Sequence, residues 1–120
     1  MFRLDLGEAD DSAMIEILGA ADGDAADELA DAIAVLDAEA VLALSFLRCE
    51  RLDRRCTDVV LRYDAKRNGR LIVIVEEHSQ PHRILLMTGK TLQMVFSVEE
   101  AAIRSETLNE MAHRLYSNDA

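Results

Sequence analysis

Apolar residues along this 120-residue chain recur with two different spacings, which predict alternating strands and helices. Regular alternation with polar residues indicates half-buried strands near the start, and nearly continuous apolar runs further along are typical of strands covered on both faces. The acidic segment GEADDS predicts a turn between the first two strands. The predicted strands are Phe2–Leu6, Met14–Leu18, Ala40–Phe46, Leu71–Val75 and Leu92–Phe96.

Apolar residues three or four positions apart, together with start and stop signals, predict the first two helices. Asp24 is expected to cap a helix over Ala25–Leu36. A second helix is predicted to run to about Arg67, with Gly69 just past its end. Its apolar residues are Val59, Val60, Leu61 and Tyr63.

Two further helices are predicted in the last third of the chain. Pro81 in a first turn and Gly89 after the last turn delimit a short helix. Ser97 and Glu100 form the pattern of a capping box before the final helix. The inner face of that helix is predicted to carry Ala101, Leu108, Met111 and Leu115.

The order of these elements predicts the fold class. Buried strands that alternate with helices pair in parallel through crossover connections, and an opening hairpin adds an antiparallel pair. We therefore predict an α/β fold with a mixed sheet of about five strands and about four α-helices. The chain length favours a single domain over residues 1–120.

Charge restricts the classes of partner. Residues 1–50 contain 13 acidic and two basic residues, a net of −11, whereas residues 51–120 contain 11 basic and ten acidic residues, a net of +1. The total of −10 would repel phosphate groups, so neither nucleic acid nor anionic lipid is an expected partner. Basic protein surfaces are favoured instead.

Cysteine usage and apolar runs bear on location. Cys49 and Cys56 match neither a CxxC redox pair nor a zinc spacing, and are expected to be free thiols in the core. No apolar run approaches the roughly 18 residues of a membrane span. Met1–Asp10 lacks the features of a signal peptide, so a cytoplasmic location without direct membrane insertion is expected.

No pattern of residues indicates catalysis. His78 and His82 lie four apart, but Pro81 lies between them and no third ligand accompanies them. Glu76 and Glu77 are adjacent at a strand end and point in opposite directions. Since a phosphate loop, a catalytic triad and a nucleophile elbow are also missing, we expect neither enzymatic activity nor a metal or cofactor. Core packing is the expected role of Met14, Met87, Met94 and Met111.

Several segments in sequence order resemble the STAS domain of bacterial anti-sigma factor antagonists. FRLDL to ADAI resembles the family's two opening strands, its Gly-x-x-Asp loop, here Gly19 and Asp22, and its first helix. AVLALSF is similar to the central strand, which ends in Asp-Leu-Ser in the family and in Ala43, Leu44 and Ser45 here. NGRLIVIV and HRILLMTGKTLQMVFSVEEAA resemble the following strand and the final third. The resemblance implies a STAS-type fold without enzymatic activity, and a partner that is an anti-sigma factor or a histidine-kinase-like ATPase domain.

One segment departs from the family pattern. The family has Asp-Ser-Ser-Gly or Asp-Ser-Thr-Gly before its second helix, and the partner kinase phosphorylates the second hydroxyl. By position Asp53 is retained, Arg54 and Arg55 replace the two hydroxyl residues, and Cys56 replaces the glycine. The resemblance therefore implies that the usual phosphorylation switch is lost; Thr57 is an alternative acceptor if the match slips by two positions, and a residue of the first helical turn otherwise.

The resemblance, combined with the charge pattern, suggests a partner-binding surface. A protein partner, and a possible second copy of the chain, would contact the start of the second helix and the preceding acidic loop. The two arginines would either keep an interface that has lost its switch, grip an anionic group of the partner, or simply be solvated. The predicted partner-binding residues are Asp22, Asp24, Asp53, Arg54, Arg55, Cys56, Thr57 and Val60.

Two other functional classes remain open. STAS domains also occur as subunits of membrane transporters or of large signalling assemblies, and such a subunit would copurify in stoichiometric amounts with its complex. A sensor of small ligands would need a pocket, which the sequence does not show.

Overall fold

A computed structural model of the chain describes residues 2–6 and 12–117, with the side chains of residues 12–111. Within these residues four helices alternate with strands after an opening strand pair. The elements are β1 (Phe2–Leu6), β2 (Ser12–Ala21), α1 (Ala25–Ala34), β3 (Val41–Leu52), α2 (Arg54–Arg67), β4 (Leu71–Ile74), α3 (Gln80–Leu86), β5 (Gln93–Val95) and α4 (Val98–Ser117).

The sheet has the order β1-β2-β3-β4-β5. Strands β2 to β5 pair in parallel, with Leu44 opposite both Ile15 and Val73, whereas β1 pairs with β2 in the antiparallel direction. This is the predicted mixed α/β architecture with four helices. Of the turn predicted at residues 7–12, residues 7–11 lie outside the described part of the chain.

Strand β3 is buried on both faces, as its apolar run predicts. Leu42 and Leu44 point into the larger core cluster, which includes residues of helices α1, α2 and α3. Val41 and Ala43 point to the opposite face and join a smaller cluster that includes Ala101 of α4. Because successive side chains of a strand alternate between faces, one continuous apolar segment fills both clusters.

Strands β2 and β3 are longer than predicted. The predicted breaks after Leu18 and Phe46 do not occur, and pairing continues to Ala21 and Leu52. Two register shifts, between Glu16 and Leu18 and between Gly19 and Ala20, interrupt the regular alternation from which the strand ends were predicted. Gly19 has a φ of +73°, which a residue with a side chain rarely adopts, so this glycine permits a bulge inside the strand.

The prediction that all four methionines fill the core is wrong for two of them. Met14 and Met94 pack against the clusters, whereas Met87 is 80% exposed and Met111 is 56% exposed. Met87 follows the last residue of the seven-residue α3. Met111 is rotated by about 80° around α4 from Ala101, away from the sheet; the side chain of Leu115 lies outside the described residues.

Among the described helices, none is both long enough and apolar enough to cross a bilayer.

Arg67, at the end of α2, is a buried cation that the sequence did not indicate. Its Nη1 atom donates to the backbone carbonyls of Asp37 at 3.1 Å and of Ala40 at 2.7 Å, which holds the segment between α1 and β3 against α2. Its Nε atom is buried without a hydrogen-bond partner in the described structure. Burial lowers the pKa of Arg67, and the negative charge of Asp37 opposes this effect.

Replacement of Arg67 by alanine should destabilise the fold, because both carbonyls lose a buried donor. We expect the free energy of unfolding in urea to fall by about 2 kcal/mol. Arg62→Ala, at an exposed position of the same helix, is the control and should change it by less than about 0.5 kcal/mol. Equal effects of the two substitutions would show that Arg67 does not stabilise this junction.

Candidate partner-binding site

The two segments predicted to bind a partner meet at the carboxyl ends of β2 and β3. The backbone N–H of Asp53 donates to the carbonyl of Ala21 at 3.0 Å, which places the loop Asp22–Asp24 beside the start of α2. Parallel pairing brings both strand ends to the same edge of the sheet, so the helices that follow begin side by side.

Asp53 is the residue that joins β3 to α2. It has an extended backbone (φ −90°, ψ 174°), and its Oδ1 atom accepts a hydrogen bond from the N–H of Cys56 at 2.8 Å. Its carbonyl accepts from the N–H of Thr57 at 3.0 Å and from the Thr57 hydroxyl at 2.7 Å. Asp53 is therefore an N-cap residue, and its carboxylate is already engaged within the chain.

Arg54 and Arg55 are the first two residues of α2, and both are exposed. The linker before them is Asp53 alone, because Arg51 and Leu52 belong to β3. Neither arginine forms an ion pair or a side-chain hydrogen bond with the described residues. The first turn of α2 contains no acid, so two cations lie at the positive end of the helix dipole, where they are unfavourable.

The acidic loop before α1 is partly neutralised. The carboxylate of Asp22 pairs with the guanidinium of Arg51, which is not among the predicted contact residues. The carbonyl of Asp22 accepts from the N–H of Ala25 at 3.0 Å. Asp24 is exposed at the N-cap position, but its side chain makes no capping bond, contrary to the prediction. Its helical backbone (φ −75°, ψ −5°) differs from the extended conformation that a capping side chain requires.

Three of the predicted contact residues are buried, which corrects their assignment. Cys56 and Val60 are fully buried in the larger core cluster, and Thr57 is 5% exposed. The Thr57 hydroxyl donates to the carbonyl of Asp53, so phosphorylation there would require the first turn of α2 to open. The exposed part of the site therefore consists of Arg54, Arg55 and the acidic loop.

Both thiols are free and buried. Burial raises the pKa of Cys56 to about 12, and the hydrogen bond and negative charge of Asp53 act in the same direction. The thiol of Cys49 donates to the carbonyl of Arg51 at 3.4 Å, and burial also raises its pKa. Neither group has the accessible, low-pKa character of a reactive cysteine.

Gln80, the first residue of α3, is a structural contact that the sequence did not reveal. Its Oε1 atom accepts from the backbone N–H of Leu52 at 2.7 Å, and its Nε2 atom donates to the carbonyl of Leu52 at 3.1 Å. The side chain thus pairs with β3 as a neighbouring strand would. It fixes the start of α3 next to the start of α2.

The histidines and the paired glutamates lie in the connection between β4 and α3. The Nδ1 atom of His82 accepts from the backbone N–H of His78 at 3.0 Å, so this ring nitrogen has a partner within the chain. Glu76 and Glu77 are exposed. No group of three or more potential metal ligands occurs among the residues with described positions.

Comparison of the fold with solved structures identifies its class. The anti-sigma factor antagonist SpoIIAA in its unphosphorylated form is 20% identical, with a TM-score of 0.66 over 86% of this chain and 94% of that one. An anti-sigma factor antagonist from Mycobacterium paratuberculosis is 17% identical, with a TM-score of 0.72 over 88% and 95%. SpoIIAA of Bacillus in its phosphorylated form is 20% identical, with a TM-score of 0.63 over 86% and 96%.

The chain therefore has the STAS-type fold of the anti-sigma factor antagonists, which confirms the predicted resemblance at the level of the fold. Neither a family model nor a curated protein sequence matches this chain.

The raised pKa of Cys56 predicts a loss of stability at alkaline pH. The folded state holds the proton up to about pH 12, whereas the unfolded thiol releases it near its ordinary pKa of 9.0. The contribution is therefore complete below pH 9 and is lost as the pH rises toward 12. Between about pH 8 and pH 10, the wild type should lose about 1 kcal/mol more unfolding free energy than Cys56→Ala. Equal losses in urea titrations would contradict this assignment.

Proposed function

We propose that this chain is a non-enzymatic regulatory module that binds a protein partner of the anti-sigma factor or histidine-kinase-like ATPase class. The contact surface comprises the Asp22–Asp24 loop and the first turn of α2, and recognition is not switched by phosphorylation of a serine or threonine there. The main observation behind this proposal is the pair of exposed arginines, Arg54 and Arg55, at the start of α2. The fold shared with anti-sigma factor antagonists supports the general kind of function.

The chemistry of these two side chains supports a site whose charge does not change. A phosphate at a helix start adds up to about two negative charges and can either strengthen or disrupt a contact. A guanidinium accepts no phosphate from a serine/threonine kinase and stays positive at every physiological pH. A surface built on Arg54 and Arg55 therefore has one charge state.

The position of the arginines favours recognition over simple solvation. Each cation at the first turn of a helix is unfavourable by about 0.3–1 kcal/mol, and no described acidic side chain pairs with Arg54 or Arg55. In the complex, contacts with an anionic group of the partner would offset this unfavourable interaction with the helix dipole. The helix N-terminus and the planar guanidinium groups suit a carboxylate.

The acidic face of α1 supports a basic surface elsewhere on the same partner. Asp24, Asp27, Glu28 and Asp31 are exposed beside the site. Charges of this kind increase the rate of encounter more than they increase affinity, and salt screens them. The proposed partner thus presents an acidic group to α2 and basic groups to α1.

Affinity purification from the native host tests this proposal, with the wild type and the Arg54→Ser/Arg55→Ser variant as baits. We expect the wild type to retain a protein of the proposed class and the variant to retain about tenfold less, because a carboxylate contact is lost. Arg104→Ser, an exposed arginine on α4, is the matched control and should retain as much as the wild type.

Equal retention by the wild type and the double variant would contradict the proposed contact. Mass spectrometry of the recovered bait supplies a second criterion. Phosphate on residues 53–57 would contradict the absence of a switch.

A further inference from the structure

A groove between α2 and α3 adjoins the proposed contact surface and has no assigned role. Its volume is about 500 Å³. Helix α2 contributes Arg54, Asp58 and Leu61 to its wall, and α3 and the residues after it contribute Ile84, Met87 and Thr88. The buried Thr57 also lines the groove.

Leu61, Ile84 and Met87 make part of the groove lining apolar, and the methionine among them is flexible and exposed. Leu61 and Ile84 are half-buried and pack against the larger core cluster. Met87 is 80% exposed although it lines the groove, and the adjacent Leu86 is 56% exposed. Exposed methionine beside an apolar cleft is typical of surfaces that adapt to a bound helix.

The groove lining also includes one cation and one anion. Arg54 and Asp58 are both exposed and lie one helical turn apart on α2. They do not pair with each other, and no ion pair joins either of them to a described side chain. Within the described part of the chain, each charge is therefore left for a side chain of opposite sign on a bound molecule.

The length of the α2 side of the groove sets the size of the occupant. Leu61 lies seven positions after Arg54, which corresponds to about 10 Å along the helix axis, or two turns. A neighbouring helix of two turns would span this distance, with side chains four positions apart facing Arg54 and Asp58.

We propose that this groove binds a short amphipathic helix of a protein partner. The occupant presents an acidic residue to Arg54, a basic residue four positions away to Asp58, and apolar residues of the same helix to Leu61, Ile84 and Met87. Because Arg54 belongs to both surfaces, this inference rests on the proposed function and names the chemistry of the partner segment.

Selection from a phage-displayed library of 14-residue peptides tests the proposal, with the intact wild-type chain as target and Met87→Ser as counter-target. We expect enriched peptides to share apolar residues three or four apart and an acid–base pair four apart. A synthetic peptide of this consensus should bind Met87→Ser and Arg54→Glu about tenfold more weakly than the wild type. A peptide whose acid is changed to arginine should regain affinity for Arg54→Glu.

Two variants control for general effects of substitution. Arg104→Ser removes an exposed cation of α4 outside the groove, and Ile103→Ser removes an exposed apolar residue of α4; neither should change peptide affinity. Three results would overturn the proposal. The library yields no enriched peptides, the consensus peptide binds Met87→Ser as tightly as the wild type, or the peptide with arginine in place of its acid does not regain affinity for Arg54→Glu.

The two proposals fail in different ways. Host-partner capture that depends on Arg55 but not on Met87 would refute the groove and leave the proposed function intact. Peptide binding in the groove, without capture of a host partner through Arg54 and Arg55, would refute the proposed function and leave the groove proposal intact.

Discussion

The junction between β3 and α2 depends on one residue, Asp53, whose polar groups are all engaged. Its N–H bonds to β2, its carboxylate caps α2, and its carbonyl accepts two bonds from Thr57. These contacts fix where α2 begins, and so which residues of its first turn face outward. Arg54 and Arg55 are exposed, and Cys56 and Thr57 are buried, because the helix starts at this point. The side chain of Gln80 ties α3 to the preceding residue, Leu52.

Favourable and unfavourable interactions at the start of α2 oppose each other at this junction. The cap supplied by Asp53 contributes about 1 kcal/mol, and two cations in the first turn oppose it by about 0.3–1 kcal/mol each. Local interactions at the start of α2 therefore nearly cancel. Packing of Val59 and Val60 against the sheet holds the helix in place. A chain optimised for stability alone would place acids in this turn, and the proposed partner contact would account for the arginines.

Much of the architecture could be predicted from the sequence because it depends on local signals. Apolar runs marked the buried strands, and Pro81 and Ser97 marked helix starts. The ends of β2 and β3 could not be predicted, since two bulges break the alternation that a pattern needs. The cap expected of Asp24 failed because its backbone is helical there, a property that residue type does not determine.

That the two segments of the candidate site lie side by side was predicted, but the prediction did not separate their exposed residues from their buried ones. Cys56 and Val60 lie four apart on the buried face of α2, and this spacing was a signal of burial that could have excluded them from a contact surface. Arg51, Arg67 and Gln80 could not have been found, since each has its partner about 30 residues away in the chain. The groove is likewise formed by two helices that are distant in sequence.

The central claim is that Arg54 and Arg55 are kept for recognition at the expense of helix stability. The most direct measurement is the unfolding free energy, in urea at low ionic strength, of Arg54→Glu/Arg55→Glu relative to the wild type. The account predicts an increase of about 1 kcal/mol, because acids replace cations at the positive end of α2. A decrease would contradict it, since it would show that the arginines stabilise the fold themselves.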